Sequence, residues 1–197
     1  QVDSSATHVL KTIVVVGSSA KTGSNLTKQP LSASVITAKQ ISDAGAKRLD
    51  SALAYESGVL SQPYGADTKQ QWFKIRGFDA STTLDGTALA PYGYFVWDPV
   101  AYGVEAVEVV KGANSFNYGA TQAGGNVNLV TKRPGMEEKG ELNLGAGNLN
   151  QRNISADYTG FINGNDALRY RLVGSFDQSD SQIAGDHMKN YYFAPSF

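Results

Sequence analysis

The sequence predicts an α+β globule followed by a run of antiparallel β-strands. Three observations carry that expectation. The chain has 21 glycines and 10 tyrosines but only 6 prolines, a composition suited to a turn-rich β protein rather than a helical bundle. Between Leu31 and Pro134, two short stretches with helix-start signals sit among β-branched segments. From Gly140 onward the pattern becomes strict period two, apolar residues alternating with polar ones, as strands buried on one face require.

Composition bounds the function classes. At 197 residues the chain holds one domain and a fraction of another. With 17 basic and 18 acidic residues its formal charge is -1, so nothing points to a nucleic-acid partner. The absence of cysteine removes disulfide frameworks and thiolate metal sites without fixing a compartment. The longest apolar run, Ile13-Val14-Val15-Val16, falls far short of the ~20 residues of a membrane-spanning helix. A bilayer crossing would therefore need a closed barrel, the other arrangement that pairs every backbone group. Gln1 opens no basic and apolar leader, and reads as the start of a mature chain from which an export signal has been removed.

Residues 1–28 are polar and rich in small side chains, too poor in apolar surface to offset the entropy of ordering. Inside them Thr12, Ile13, Val14, Val15 and Val16 form one β-branched run. It can be an edge strand of the next domain or a free strand for a partner's sheet edge. Residues 29–136 read as the α+β domain. Ser34–Thr37 is a short strand, and Thr37 with Gln40 makes a capping box for a helix over Ala38–Ala44, stopped by Gly45. A second helix is expected over Leu49–Tyr55, with Leu49 and Leu53 on one face and Gly58 at its end. Further strands are expected at Phe73–Arg76, Ala106–Val110 and Asn126–Thr131, with long loops between Ser57 and Pro99.

Residues 137–197 read as four strands. Leu142, Leu144 and Ala146 face one way, opposite Glu141, Asn143 and Gly145. Ile154, Ala156 and Tyr158 alternate with Asn153, Ser155, Asp157 and Thr159. Leu168, Tyr170, Leu172, Gly174 and Phe176 oppose Arg169, Arg171, Val173, Ser175 and Asp177. The last strand is expected from Tyr191 to Phe197. Asn163-Gly164-Asn165-Asp166 signals a tight turn, and Asp177–Asn190 a longer polar loop. Periodicity alone fits a soluble sandwich as well as a membrane barrel.

Catalysis finds little support in the residues. His8 and His187 lack a second metal ligand at helix or strand spacing, and no nucleophile elbow or phosphate-cradling loop is present. Gly145-x-Gly147 lacks the third glycine of a dinucleotide fingerprint, and Asn163–Asp166 is too short for a calcium loop. No enzyme, metal site or resident cofactor is expected. Binding has better candidates. Pro91–Trp97 packs Tyr92, Tyr94, Phe95 and Trp97 into seven positions, while Tyr64 lies in another loop after Gln62-Pro63 and Trp72 precedes Ile75-Arg76-Gly77-Phe78. Such side chains bury large area at small entropic cost and offer O–H and N–H tips to a ligand's oxygens. Loops packed on their own aromatics have the same composition.

One ordered series unites these segments. Phe73-Lys74-Ile75-Arg76-Gly77-Phe78 is followed by Leu84-Asp85-Gly86, Asp98-Pro99, Val107–Gly112, Tyr118-Gly119, Gly124–Asn128 and Thr131–Pro134, then by the alternating strands. The series resembles the plug of a TonB-dependent outer-membrane receptor, over roughly residues 10–197. The resemblance implies an α+β plug domain followed by antiparallel transmembrane β-barrel strands, the wall of the full receptor having about 22. Four strands cannot close a barrel, so the chain is expected to be the N-terminal part of a longer receptor in a Gram-negative outer membrane.

The resemblance further implies site roles. Thr12, Ile13, Val14, Val15 and Val16 would be the TonB box captured by TonB, the inner-membrane energy-coupling protein. Tyr64, Trp72, Tyr92, Tyr94, Phe95 and Trp97 would contact a ferric siderophore on the outward loops. Iron would enter only inside that ligand, already saturated by the siderophore's oxygens. Arg76 and Lys111 sit where the family has basic plug residues that meet barrel glutamates; as residues alone they equally read as two solvated charges. Ala106 stands where the family usually has Arg, and Ala113 and Ala123 replace common prolines. Gln62–Thr68 and Ile75–Asp79 are similar to hydroxamate receptors of the ferrioxamine and ferrichrome type. The same architecture serves cobalamin, haem or saccharide import and ligand-sensing transduction.

Overall fold

The computed structural model describes residues 32–65, 67, 70–89, 99–112, 121–162, 165–181 and 185–197. Two sheets dominate it. The first belongs to the α+β domain, the expected plug: β1 (Ser32–Thr37), β6 (Val104–Lys111), β7 (Gly125–Thr131), β4 (Ser81–Leu84) and β5 (Thr87–Ala88), side by side in that order. All neighbours are antiparallel except β4 and β7, which run parallel. A separate hairpin pairs β2 (Val59–Ser61) with β3 (Phe73–Ile75).

The expected capping box is present. Helix α1 (Ala38–Asp43) begins where the Thr37 hydroxyl accepts the Gln40 amide and the Gln40 side chain accepts the Thr37 amide. That satisfies two of the donors a helix start leaves open. The second helix is shorter than the sequence suggested: α2 covers Leu49–Ala52, and the chain then turns so that Val59 can pair with Ile75. Leu49 and Leu53 do share a buried face. With Ile41, Ile75, Val107, Val109, Val127 and Leu129 they form the apolar core on one side of the sheet.

The other side of β6, β7 and β4 is held by polar groups. Asn128 donates to Glu108 at 2.8 Å, Thr83 donates to Asn128 at 2.8 Å and Asn126 donates to Thr83 at 2.9 Å, all four side chains buried. Strands β2, β4 and β5 fall where long loops were expected. Ser81–Leu84 is hydroxyl-rich, and its pairing with β7 lies more than 40 residues away, so local propensity could not reveal it.

The second sheet is antiparallel throughout, in the order β11-β10-β9-β8, from β8 (Lys139–Ala146), β9 (Arg152–Ile162), β10 (Asn165–Asp180) and β11 (His187–Ser196). One face is apolar and bare: Leu142 is 64% exposed and Phe193 72%, with Leu144, Ile154, Leu168, Leu172 and Tyr191 beside them. The opposite face carries Ser155, Asp157 and Thr159, all buried against the plug. Within the loop expected over Asp177–Asn190, β10 extends to Asp180 and β11 begins at His187. Asp177 to Asp180 pair in register with Asn190 to His187, so the last strand also starts four residues before Tyr191. A backbone ladder needs no apolar side chains, and polar strand ends therefore escape a reading based on hydropathy.

Gly125 starts β7 at φ +123°, and a β-carbon there would lie 2.0 Å from the Val110 carbonyl oxygen. Because the obstacle is backbone, Gly125→Ala should destabilise the plug by roughly 3 kcal/mol or more. Urea unfolding measures it, and a loss under about 1 kcal/mol would show that the β6–β7 pair can spread to admit a methyl group.

Candidate functional site

The β2–β3 hairpin builds the first part of the site. Its loop, starting at Gln62, is closed by Gln62 donating to the Trp72 carbonyl at 2.7 Å and Gly65 donating to the Gln62 carbonyl at 2.9 Å. From below, the Arg48 guanidinium donates to the carbonyls of Asp67 and Gln70, and the Asp50 amide donates to the Gln71 side chain at 3.0 Å. The start of α2 is thus a platform that fixes the loop's backbone. On it Tyr64 meets Trp72 edge to face, with ring centroids 5.4 Å apart and planes at 84°. Tyr64 is 72% exposed, so the pair presents an aromatic surface rather than a packed core. Tyr92, Tyr94, Phe95, Trp97 and the Thr12–Val16 segment lie outside the described residues.

Nearby carboxylates serve the fold. Asp85 accepts the Thr131 amide at 3.0 Å and its hydroxyl at 2.6 Å, tying the β4–β5 turn to β7. Asp79 lies 3.2 Å from Lys74.

Arg76 and Lys111 have partners within the plug. Arg76 lies 3.3 Å from the Ser32 hydroxyl. Lys111 donates to Glu56 at 2.6 Å and to Ser57 at 3.3 Å. Ser32 also faces Lys111 across the β1–β6 ladder, so both cations gather where the N-terminal stretch joins the sheet.

The charges that join plug to wall in the described residues are different ones. Arg171 on β10 clasps Asp157 on β9 with two bonds of 2.8 and 2.7 Å, and reaches Glu105 of the plug and the Arg133 carbonyl, both at 2.9 Å. Lys132 of the plug adds a second cation to Asp157 at 2.8 Å, both side chains buried. The same Lys132 lies over the Tyr102 ring at 3.9 Å, and burial pushes the Tyr102 hydroxyl up from its ordinary pKa. Further along, Lys47 reaches Asp177 at 2.9 Å. Tyr192 of β11 seats its hydroxyl where a β-carbon on Gly103 would stand, so glycine alone admits it. The strand alternation put Arg171 and Asp157 on the wet face, a signal for the pair itself. It held none for Glu105, 66 residues away.

The plug and wall so arranged can be compared with known proteins. The sequence model of the TonB-dependent receptor plug domain matches residues 25–126. The chain belongs to the TonB-dependent receptor family. Those proteins are receptors for transport rather than enzymes. The chain is 34% identical over 175 residues to the ferrioxamine B receptor of Salmonella typhimurium, covering 85% of this chain and 25% of that one. To the ferrichrome outer membrane transporter/phage receptor of Escherichia coli it is 32% identical over 184 residues, with 90% and 24% covered. Among solved structures, the pyoverdine outer membrane receptor of Pseudomonas aeruginosa bound to pyoverdine superposes with a TM-score of 0.78 at 26% identity, over 85% of this chain and 25% of that one. The chain spans about a quarter of the length of these relatives.

Removing Asp157 leaves Lys132 and Arg171 facing each other with only the half-exposed Glu105, beside Arg171, as counter-charge. Asp157→Leu should therefore loosen the plug by about 3 kcal/mol, read as faster proteolysis between plug and wall. Asp43→Ala, which breaks the exposed Lys39 pair, should change stability by about 0.5 kcal/mol at most.

Proposed function

We propose that this chain serves TonB-dependent uptake of a ferric siderophore, of the hydroxamate type, across the outer membrane of a Gram-negative bacterium. The observation that carries the reading is the pairing of two surfaces. The plug fills the polar face of a sheet whose other face is bare and apolar, which suits a wall standing in lipid with its contents inside. The names of the relatives support the cargo class, since the chain aligns with ferrioxamine and ferrichrome receptors over most of its length. The Tyr64–Trp72 pair supports the place of binding.

The mechanism follows from what each part can do. Aromatic rings on a braced loop recognise the outer shape of a chelate whose iron is already fully ligated, so the receptor need supply no metal ligand. Binding outside shifts the plug's states so that Thr12–Val16 is available inside. TonB then pairs with that strand through main-chain hydrogen bonds and does work on the plug.

Tyr64→Ala and Trp72→Ala should each weaken binding of ferrioxamine B about tenfold, measured by quenching of intrinsic fluorescence or, for the tryptophan variant, by radioiron retention. Deleting residues 12–16 should abolish radioiron uptake with binding kept within about twofold. Normal import by the deletion strain would refute the coupling role, and failure of any ferric hydroxamate to bind would refute the cargo.

A further inference from the structure

The outward face of β8–β11 changes character at one level. On β10 its positions run Leu168, Tyr170, Leu172, Gly174 and Phe176, about 26 Å of strand at roughly 3.3 Å per residue, which is most of the apolar band of a barrel wall. The next outward position is Gln178. In the ladder it lies opposite Arg152 of β9 on one side and Lys189 of β11 on the other. The row beneath is Ile154, Phe176 and Tyr191, with the Phe176 and Tyr191 rings 5.0 Å apart. Side by side, the strands pass from aliphatic and aromatic to polar and cationic in one step.

This level is on the side of the aromatic loop. Asp177, next to Gln178, takes Lys47 of the plug at 2.9 Å, and Arg48, the neighbour of Lys47, holds the loop that carries Tyr64 and Trp72. The strand ends agree. At the opposite end β9 stops at Ile162 and β10 starts at Asn165, whereas here β10 stops at Asp180 and β11 starts at His187; barrels keep their short turns on the periplasmic side. The row of Arg152, Gln178 and Lys189 therefore stands at the outer margin of the lipid-facing band.

Arg152 and Lys189 are exposed, and among the described residues neither has a hydrogen-bond or ion-pair partner. One row further out, Asp180 and His187 engage each other at 2.8 Å, so the sum of charge stays positive even with a neutral imidazole. Arg152 and Lys189 are two strand spacings apart, about 10 Å. Long side chains reaching toward each other can close on one phosphate above the Gln178 amide, the guanidinium as a fork and the ammonium as a point charge. Below them the Phe176 and Tyr191 rings offer nothing to a free anion but pack well against acyl chains. A free phosphate would use half of this surface, and a phosphate carried by a lipid would use all of it.

On the uptake reading above, which sets the wall in a Gram-negative outer membrane, we propose that Arg152, Gln178 and Lys189 bind a phosphate group of the outer-leaflet glycolipid. Its acyl chains lie along Ile154, Phe176 and Tyr191. The lipid is held at a fixed place on the wall, across the strand from the contact of Lys47 with Asp177.

Native mass spectrometry of the whole receptor, released from nanodiscs of phosphatidylcholine containing lipid A, counts the glycolipid retained. Arg152→Gln and Lys189→Gln should each lower retention about fivefold. Lys139→Gln, an equal loss of charge at the first residue of β8 and the other end of the wall, should leave it unchanged. Lipid A stripped of its phosphates should be retained by the parent about as poorly as lipid A is by the variants. All three variants should keep the parent's unfolding midpoint, since each replaces one exposed polar side chain by another.

Unchanged retention in Arg152→Gln and Lys189→Gln overturns the site, and so does an equal fall in Lys139→Gln, which would mark adsorption by charge alone. Equal retention of the dephosphorylated lipid also overturns it, leaving only acyl packing. Displacement of lipid A by millimolar inorganic phosphate assigns the row to a soluble anion and rejects the lipid. A parent that retains lipid A in this pattern but neither binds nor imports ferrioxamine B keeps the site and loses the uptake reading.

Discussion

Asp157 held between Lys132 and Arg171 is the contact on which the joining of the two bodies depends. Its carboxylate sits on a strand face removed from bulk water, where a lone charge would be costly. One cation comes from the plug and the other from the neighbouring wall strand, and the latter extends to Glu105 of the plug. Neither surface can shed the other without stranding charge. Such clusters add little net stability compared with apolar packing, but they permit few alternative arrangements. That property suits a plug that must sit in one position inside a wet pore.

The rest of the fold distributes roles around this contact. Most large apolar side chains on β8–β11 point away from the plug, and the inner face is mainly hydroxyls, amides and charges, with Val173 a buried exception. Within the plug, the core of Leu49, Leu53, Ile75, Val107 and Leu129 ties both helices to the central strands. The Arg48–Asp50 platform then carries rigidity outward to Tyr64 and Trp72. The aromatic pair and the charged contacts to the wall are thereby built on different edges of one small domain.

Much of this was legible in the residues because it is local. The Thr37–Gln40 box and the alternation of β8 to β10 each depend on spacing alone. What escaped was long-range. Lys47 and Asp177 are 130 positions apart, and no pattern near either names the other. Strand β4 hid because a parallel partner supplies its bonds from a distant segment. The extra residues of β10 and β11 hid because polar sequence looks like loop when hydropathy is the guide. Arg76 and Lys111, expected to meet barrel glutamates, have Ser32 and Glu56 as neighbours among the described residues.

The buried ladder of Glu108, Asn128, Thr83 and Asn126 bears on how the plug regains its shape. On the apolar side of the sheet, Val107 lies opposite Leu129 and Val109 opposite Val127. A slip of two residues would exchange one aliphatic pair for another of similar size. On the polar side the same slip would separate Glu108 from Asn128 and break several hydrogen bonds together. Adhesion and alignment are therefore assigned to opposite sides of the same strands. On the proposed uptake cycle, a domain disturbed by force would be guided back to a single alignment by the side that carries the least grease.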